Sequence, residues 1–507
     1  MSTVSAKISG AVRRFPTSLE ILTMTPSISS QPTTFKDGLS RGAPSEASVD
    51  IGALNAFLDE AETLGLELHG LMLWRDGKVI SEGYWWPYRA DQPQIMHSVA
   101  KSFTSTAIGL ALEEGRFALS DKVISFFPND LPDVVSANLA AMTIEDLLTM
   151  RTGHASEVGG PMWRILKTSW IREFFNIPVV HKPGATYVYS SAASYMLAAI
   201  LYQTTGQGLH HYLKPRLFEP LGIHGETWDL GTDGFNPGGN GLTCSLADVM
   251  KLGILYANKG VWNGDRLISA QWVEEATRPH NGNEYGYHWV VYKEGAFAAL
   301  GQFAQIVLVF PKFNAVLGLT SAIRDADTLA PVIFRHFPAA FHGPAADEAR
   351  QSQNFKARFA QNSAAPKLTG RPDDSVWTPG AHIFHLAPNP YGIETVMFDL
   401  SEHICKMEWR DAHDVYRLEA GIDQWREGVA NLPGQDLHHG YELKDAKVIA
   451  GAQFPDLQTM ELVWSYPKTA FRDRLVCRIN AHGLTLDRSV NVNSRAMGWT
   501  RLNGRRT

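Results

Sequence analysis

The chain has 507 residues, 44% of them hydrophobic and 19% charged, enough for one large domain with a smaller one or for three modest ones. A formal net charge of −6, with no basic run interleaved with aromatics, excludes a protein built to coat nucleic acid. The three cysteines, Cys244, Cys405 and Cys477, lie far apart with no CxxC or metal-type spacing. That is the usage of a reduced chain with no disulfide framework.

The opening MSTVSAKISGAVRRFP lacks the apolar run of a secretory signal, and no stretch approaches the roughly 20 apolar residues of a membrane span. The expectation is a cytoplasmic protein with no membrane partner. Residues 1–47, rich in Ser, Thr and Pro, read as an irregular lead-in. From Ile51, IGALNAFLDEAETLGL has helical spacing, and LHGLMLWRDGKVISEGYW reads as two strands around an Asp76-Gly77 turn. Thr143 with Asp146, and Ser245 with Asp248, stand in capping-box spacing at the head of two further helices. FAQIVLVF and NAVLGLTSA read as neighbouring strands and TLAPVIFRHF as a closing helix, so a first domain is expected over 48–340.

Residues 341–372, with AAPKLTGRPDDS, read as a linker. Beyond it TMELVWSY places Met460, Leu462, Trp464 and Tyr466 on one face, and RLVCRI followed by GLTLDRSV reads as a hairpin. Residues 373–507 are therefore expected to form a mostly β domain, a small sandwich or barrel.

MHSVAKSFTSTAIGL, from Met96, carries the chemistry. Val99, Phe103, Ala107, Leu110 and Ala111 form one apolar stripe of a helix that starts at Ser98. Lys101 is one turn on, within reach of the serine oxygen, and burial that lowers its pKa makes it a proton acceptor near neutrality. Serine is also a common helix cap and lysine a common solvated charge, so the pair alone does not decide between nucleophile and structural cap. Ser465-Tyr-Pro-Lys468 has the same spacing, but Pro467 and the alternating strand before it argue against a helix there. GLSRG at Gly38 to Gly42 lacks the flanking strand and helix that a G-x-S-x-G nucleophile turn needs. The pairs His210-His211 and His438-His439 have no HExxH or carboxylate cluster beside them, so no metal is expected. No nucleotide or other cofactor fingerprint is present.

The run HSVAKSFTSTAIGLALEEGRFALSDKV, followed downstream by PGATYVYSSAASYMLAAILYQTTGQGLHHYLKPRLFEPLGI, resembles the penicillin-recognising serine hydrolases. These include class C β-lactamases, D-alanyl-D-alanine peptidases, β-lactamase-type esterases and 6-aminohexanoate-dimer hydrolases. The resemblance spans about residues 50–340. It implies an α/β (α+β) core, an antiparallel sheet flanked by helices, with a helical subdomain between Ser98 and Tyr189.

By this resemblance Ser98, Lys101 and Tyr189 are the catalytic residues, and Ser191 stands where the family carries Asn. A phenol beside an ammonium is expected to have a lowered pKa, and the sequence leaves open whether Lys101 or Tyr189 is the base. Aligned through Gly301 and Gln305, the family's Lys-Thr-Gly triplet reads Ala299-Leu300-Gly301, without its cation. The resemblance implies backbone amides of Ser98 and Gln302 as oxyanion donors, and Ser191, Gly301 and Gln305 as substrate contacts. Loss of the cation favours an uncharged small-molecule ester or amide, unless Arg151 or Arg164 restores it. The expected function is carboxylesterase or amidase chemistry through an acyl-enzyme. Acyltransferase or β-lactamase action on the same site, and a non-catalytic ligand-binding protein with a degraded third motif, are the alternatives.

Overall fold

The computed structural model describes residues 36–506, apart from 281, 283 and 345. Most of the expected lead-in lies outside the described residues, and its end is a short 3-10 turn, Pro44–Ala47.

The first helix, α1 (Ile51–Thr63), is capped by the Asp50 side chain, which accepts from the Gly52 amide, and it buries Leu54, Phe57, Leu58 and Ala61. Strands β1 (Leu68–Arg75) and β2 (Lys78–Tyr84) form the expected hairpin. Asp76 (φ 47°) and Gly77 (φ 89°) both take left-handed backbone, as a tight two-residue hairpin turn demands. There follow α2 (Ala100–Glu113), α3 (Ser191–Thr205), α4 (Leu246–Ala257), β3 (Val290–Val291), β4 (Phe297–Gly301), β5 (Gln305–Phe310), β6 (Ala315–Ser321), α5 (Leu329–Ala340) and α6 (Glu348–Asn362). The strands make one antiparallel sheet in the order β2-β1-β6-β5-β4-β3.

Period-two alternation gives the sheet two apolar faces. Met72, Trp74, Val307 and Val316 pack against the side that holds α2, α3 and α4. Leu71, Leu73, Leu308 and Leu317 pack against α1 and α5 on the other. Contact with α4 is close enough that a Cβ on Gly253 would fall 2.5 Å from Val307. Between Ser98 and Tyr189 lie four short α-helices, Ala137–Ala141, Ile144–Leu148, Pro161–Arg164 and Trp170–Asn176, the expected helical subdomain. The Thr143–Asp146 capping box is complete, and Ser245 caps α4 through the Asp248 amide.

The stretch 341–372 is not irregular throughout. Its helix α6 buries Phe355 and Phe359 in an otherwise polar run. Phe359 meets Trp85 edge-on at 4.8 Å and covers Gly83, where a Cβ would overlap its ring at 2.1 Å. Two aromatics at i, i+4 suffice to dock a helix whose remaining face is solvated.

The last quarter is all β: β7 (Gly380–Leu386), β8 (Thr395–Leu400), β9 (Ile404–Arg410), β10 (Val415–Ile422), β11 (Arg426–Ala430), β12 (Ala446–Gln453), β13 (Thr459–Ser465), β14 (Arg472–Asn480), β15 (Gly483–Val490) and β16 (Leu502–Arg506). The order is β10-β9-β8-β7-β16-β15-β14-β13-β12-β11, and a further pairing of β10 with β12 closes it into a barrel. Trp377, Phe384, Phe398, Trp409 and Trp464 fill the interior. Ser465, of the second Ser-x-x-Lys, ends β13 as a buried strand residue.

Within the barrel, Asp473 is fully buried between His438 (2.7 Å) and Arg488 (2.6 Å), and these two partners hold its carboxyl below the usual range although burial alone pushes it up. The barrel is docked on the first domain. Arg472 donates twice to Glu67 (2.9 and 3.0 Å), and the Ile95 amide donates to the Lys468 carbonyl (2.8 Å).

Candidate active site

Ser98 sits in a single 3-10 turn, His97–Val99, that runs straight into α2. His97 takes left-handed backbone (φ 49°), a conformation that costs a non-glycine residue about 1–3 kcal/mol and persists only where its surroundings impose it. Lys101, the second residue of α2 and one turn on from Ser98, is 2% exposed and donates to Ser98 Oγ at 2.9 Å, Ser191 Oγ at 3.1 Å and the Gly239 carbonyl at 2.9 Å. Three acceptors match the three hydrogens of an ammonium. Burial nevertheless disfavours the charge and lowers the lysine pKa to about 7; Glu157 opposes the shift and Arg164 adds to it.

Tyr189 precedes α3, whose N-cap is Ser190, and its hydroxyl is hydrogen-bonded to Ser98. The lysine nitrogen lies 4.9 Å from the centre of its ring. The phenol does not have the lowered pKa expected of it. Shielding from water pushes it up to about 12; the Ser98 hydrogen bond works against this and Glu157 with it. Desolvation outweighs the neighbouring amine, and it is the lysine that is shifted toward neutrality.

These side chains line a cavity of about 310 Å³ that opens to solvent. Ser191, Gly301 and Gln302 line it as well. A Cβ at Gly301 would stand 2.4 Å from the Met96 carbonyl, so only glycine lets the end of β4 come this close to the serine turn. Gln305 is a correction. Its side chain is buried away from the cavity, donating to the Ser321 carbonyl (2.8 Å) and to those of Gln302 and Phe303 (3.3 Å each). It braces the turn between β4 and β5 and is not positioned to meet a substrate. Of the two arginines offered as a substitute cation, Arg151 is buried against the Gly184 carbonyl (3.0 Å), outside the cavity. Arg164 lines it, and so does Arg324, which the sequence did not single out. Ala299 is buried in the core and does not line the cavity.

Several neighbours of these side chains were not singled out in the sequence. Gly239 belongs to Pro237-Gly238-Gly239-Asn240, a glycine pair that could have been flagged as a close backbone approach. His288 has left-handed backbone (φ 61°); its ring meets Ser194 Oγ (2.9 Å) and the Leu148 carbonyl (3.1 Å), and its own carbonyl accepts from Ser102 (2.8 Å). Burial first, and then the nearby Lys101, keep it neutral, with a pKa of about 3. His439, which the sequence marks only as half of a histidine pair without metal-type neighbours, reaches the cavity from the barrel.

Family membership supports an enzyme of the general serine-hydrolase type. The chain belongs to the beta-lactamase family, whose profile matches residues 56–331. It is similar to 6-aminohexanoate-dimer hydrolase of Paenarthrobacter ureafaciens, with 23% identity over 316 residues that cover 56% of this chain and 81% of that protein. It spans 52% of a D-alanyl-D-alanine carboxypeptidase candidate of Escherichia coli (strain K12), at 21% identity and 39% of its own length. Among solved structures it is similar to the octameric penicillin-binding protein homologue from Pyrococcus abyssi (15% identity, TM-score 0.48, 89% of this chain and 99% of that one). It is also similar to D-amino acid amidase from Ochrobactrum anthropi SV3 (17% identity, TM-score 0.46, 57% and 99%). Such a family fits an enzyme acting on small molecules, and among the described residues no helix is long and apolar enough to cross a membrane.

Proposed function

We propose that this protein hydrolyses an ester or amide bond of a small molecule through an acyl-enzyme on Ser98. The observation that carries the reading is the contact of a buried amine, with a pKa near 7, at 2.9 Å from a hydroxyl that opens onto a cavity.

In its neutral form Lys101 keeps two hydrogens for Ser191 Oγ and the Gly239 carbonyl, and its lone pair faces Ser98. It takes the serine proton as Oγ attacks the carbonyl carbon. Backbone amides of Ser98 and Gln302 receive the charge on the oxyanion. Tyr189, still protonated far above neutrality, gives its proton to the leaving alcohol or amine and regains one from the lysine ammonium. Water then attacks the acyl-enzyme, its proton going to Lys101, and Ser98 is released with its hydroxyl restored. Arg164 and Arg324 give the cavity the cationic side that the third motif lacks, so the substrate need not be uncharged.

The test is covalent labelling by an alkyl fluorophosphonate, located by peptide mass. Label on Ser98 in the parent, and none in a folded Ser98→Ala variant, is the expected result. Equal labelling of both proteins refutes the assignment.

A further inference from the structure

The two residues that flank the proposed oxyanion amides are both held in left-handed backbone: His97 (φ 49°), before Ser98, and Phe303 (φ 62°), after Gln302. Their rings meet edge-on at 5.4 Å. The residues that close around this pair come from the barrel. The His439 ring stands 5.9 Å from His97 and 5.3 Å from Phe303, and the Tyr441 ring 5.5 Å from His97.

Tyr441 also joins two polar groups of the cavity. Its ring lies under the Arg164 guanidinium at 3.8 Å, and Arg164 donates at 2.6 Å to the His439 carbonyl. The phenol oxygen is hydrogen-bonded to His97 Nδ1, 3.3 Å away. His97 is buried, and among the described residues its other ring nitrogen has no hydrogen-bond partner. The Tyr441 hydroxyl therefore makes the hydrogen bond that fixes the orientation of this imidazole. The second cavity guanidinium, Arg324, is likewise tied to the barrel, through the Arg495 carbonyl (3.3 Å).

We propose that Tyr441, carried by the barrel domain, is a positioning residue for the serine site: its hydroxyl fixes His97, and so the Ser98 turn, while its ring carries Arg164 at the cavity wall. The proposal rests on the reading of Ser98 as nucleophile. It makes the barrel a working part of the site, with hydroxyl and ring serving separate functions.

The experiment measures the limiting rate and half-saturating concentration of alkyl fluorophosphonate labelling. Tyr441→Phe keeps the ring and removes the hydroxyl; it is expected to lower the limiting rate about tenfold with the half-saturating concentration unchanged. His97→Ala is expected to lower it to a similar degree, and the double variant to be no slower than the slower single one, because both break one contact. Tyr441→Leu removes the ring as well and is expected to weaken saturation by a probe bearing a distal carboxylate, which Tyr441→Phe leaves unchanged. A parent-like rate in Tyr441→Phe, or losses that multiply in the double variant, overturns the proposal and leaves Ser98 untouched. Failure of the parent to label strikes at the proposed function instead. Should Tyr441→Phe not fold, a parent-like rate in His97→Ala overturns the proposal and a tenfold loss supports it.

Discussion

Lys101 makes the chemistry testable without knowing the substrate. With a pKa of about 7, it is about one-tenth neutral at pH 6 and about nine-tenths neutral at pH 8. If the neutral amine takes the Ser98 proton, fluorophosphonate labelling rises about tenfold across that interval and then levels off. No second limb follows up to the alkaline range, because Tyr189 keeps its proton to about pH 12. An ordinary lysine, titrating at 10.5, would instead give a rate that climbs about tenfold per pH unit through pH 9 with no break. The assay is labelling at fixed probe concentration from pH 5.5 to 9.5, with a thermal melt at each pH. A climb without a plateau refutes the claim that burial has shifted this amine. The same shift appears in stability. Between about pH 7 and 10.5 the unfolded chain binds a proton that the folded chain does not, so unfolding free energy rises with pH there. Urea titrations of the parent and Lys101→Met should show the parent gaining on the variant by up to about 1.4 kcal/mol per pH unit over that range.

Gly301→Ala places a Cβ 2.4 Å from the Met96 carbonyl, forces β4 away from the serine turn, and is expected to slow labelling about a hundredfold by displacing the Gln302 amide. An unchanged labelling rate speaks against that amide's role. Asp473→Asn leaves Arg488 buried without its carboxylate and is expected to cost about 3–5 kcal/mol in urea unfolding. Phe359→Ala strips the ring that holds α6 on Gly83 and Trp85; a loss of about 3 kcal/mol and protease cleavage within 348–362 are expected.

What was legible in the sequence was what is local or bears a motif. The Ser98–Lys101 spacing lies within one helical turn, the Asp76-Gly77 hairpin within four residues, and the alternation of Met460, Leu462 and Trp464 within one strand. Tyr189 was found only through its family resemblance, since nothing in Tyr-Val-Tyr separates it from Tyr187, which lines the same cavity. Gln305 was misread because a motif position fixes a residue's place in the chain but not the side of the sheet its amide serves. The phenol's shift was misjudged because burial depends on every element that closes over it, which no window of sequence contains. His439 and Tyr441 escaped for the same reason: over 330 residues of chain separate them from Ser98, and only the docked barrel brings them together.

Because both cavity guanidiniums lean on carbonyls beyond residue 430, the amino-terminal domain is not a transplantable module. Cutting the chain near 372 would strip Arg164 of its aromatic shelf and leave two cations free to swing into the opening. Any chimaera that borrows this domain has to bring the segment from Pro433 to Tyr441 and the loop that carries the Arg495 carbonyl, together with the strands that hold them in place.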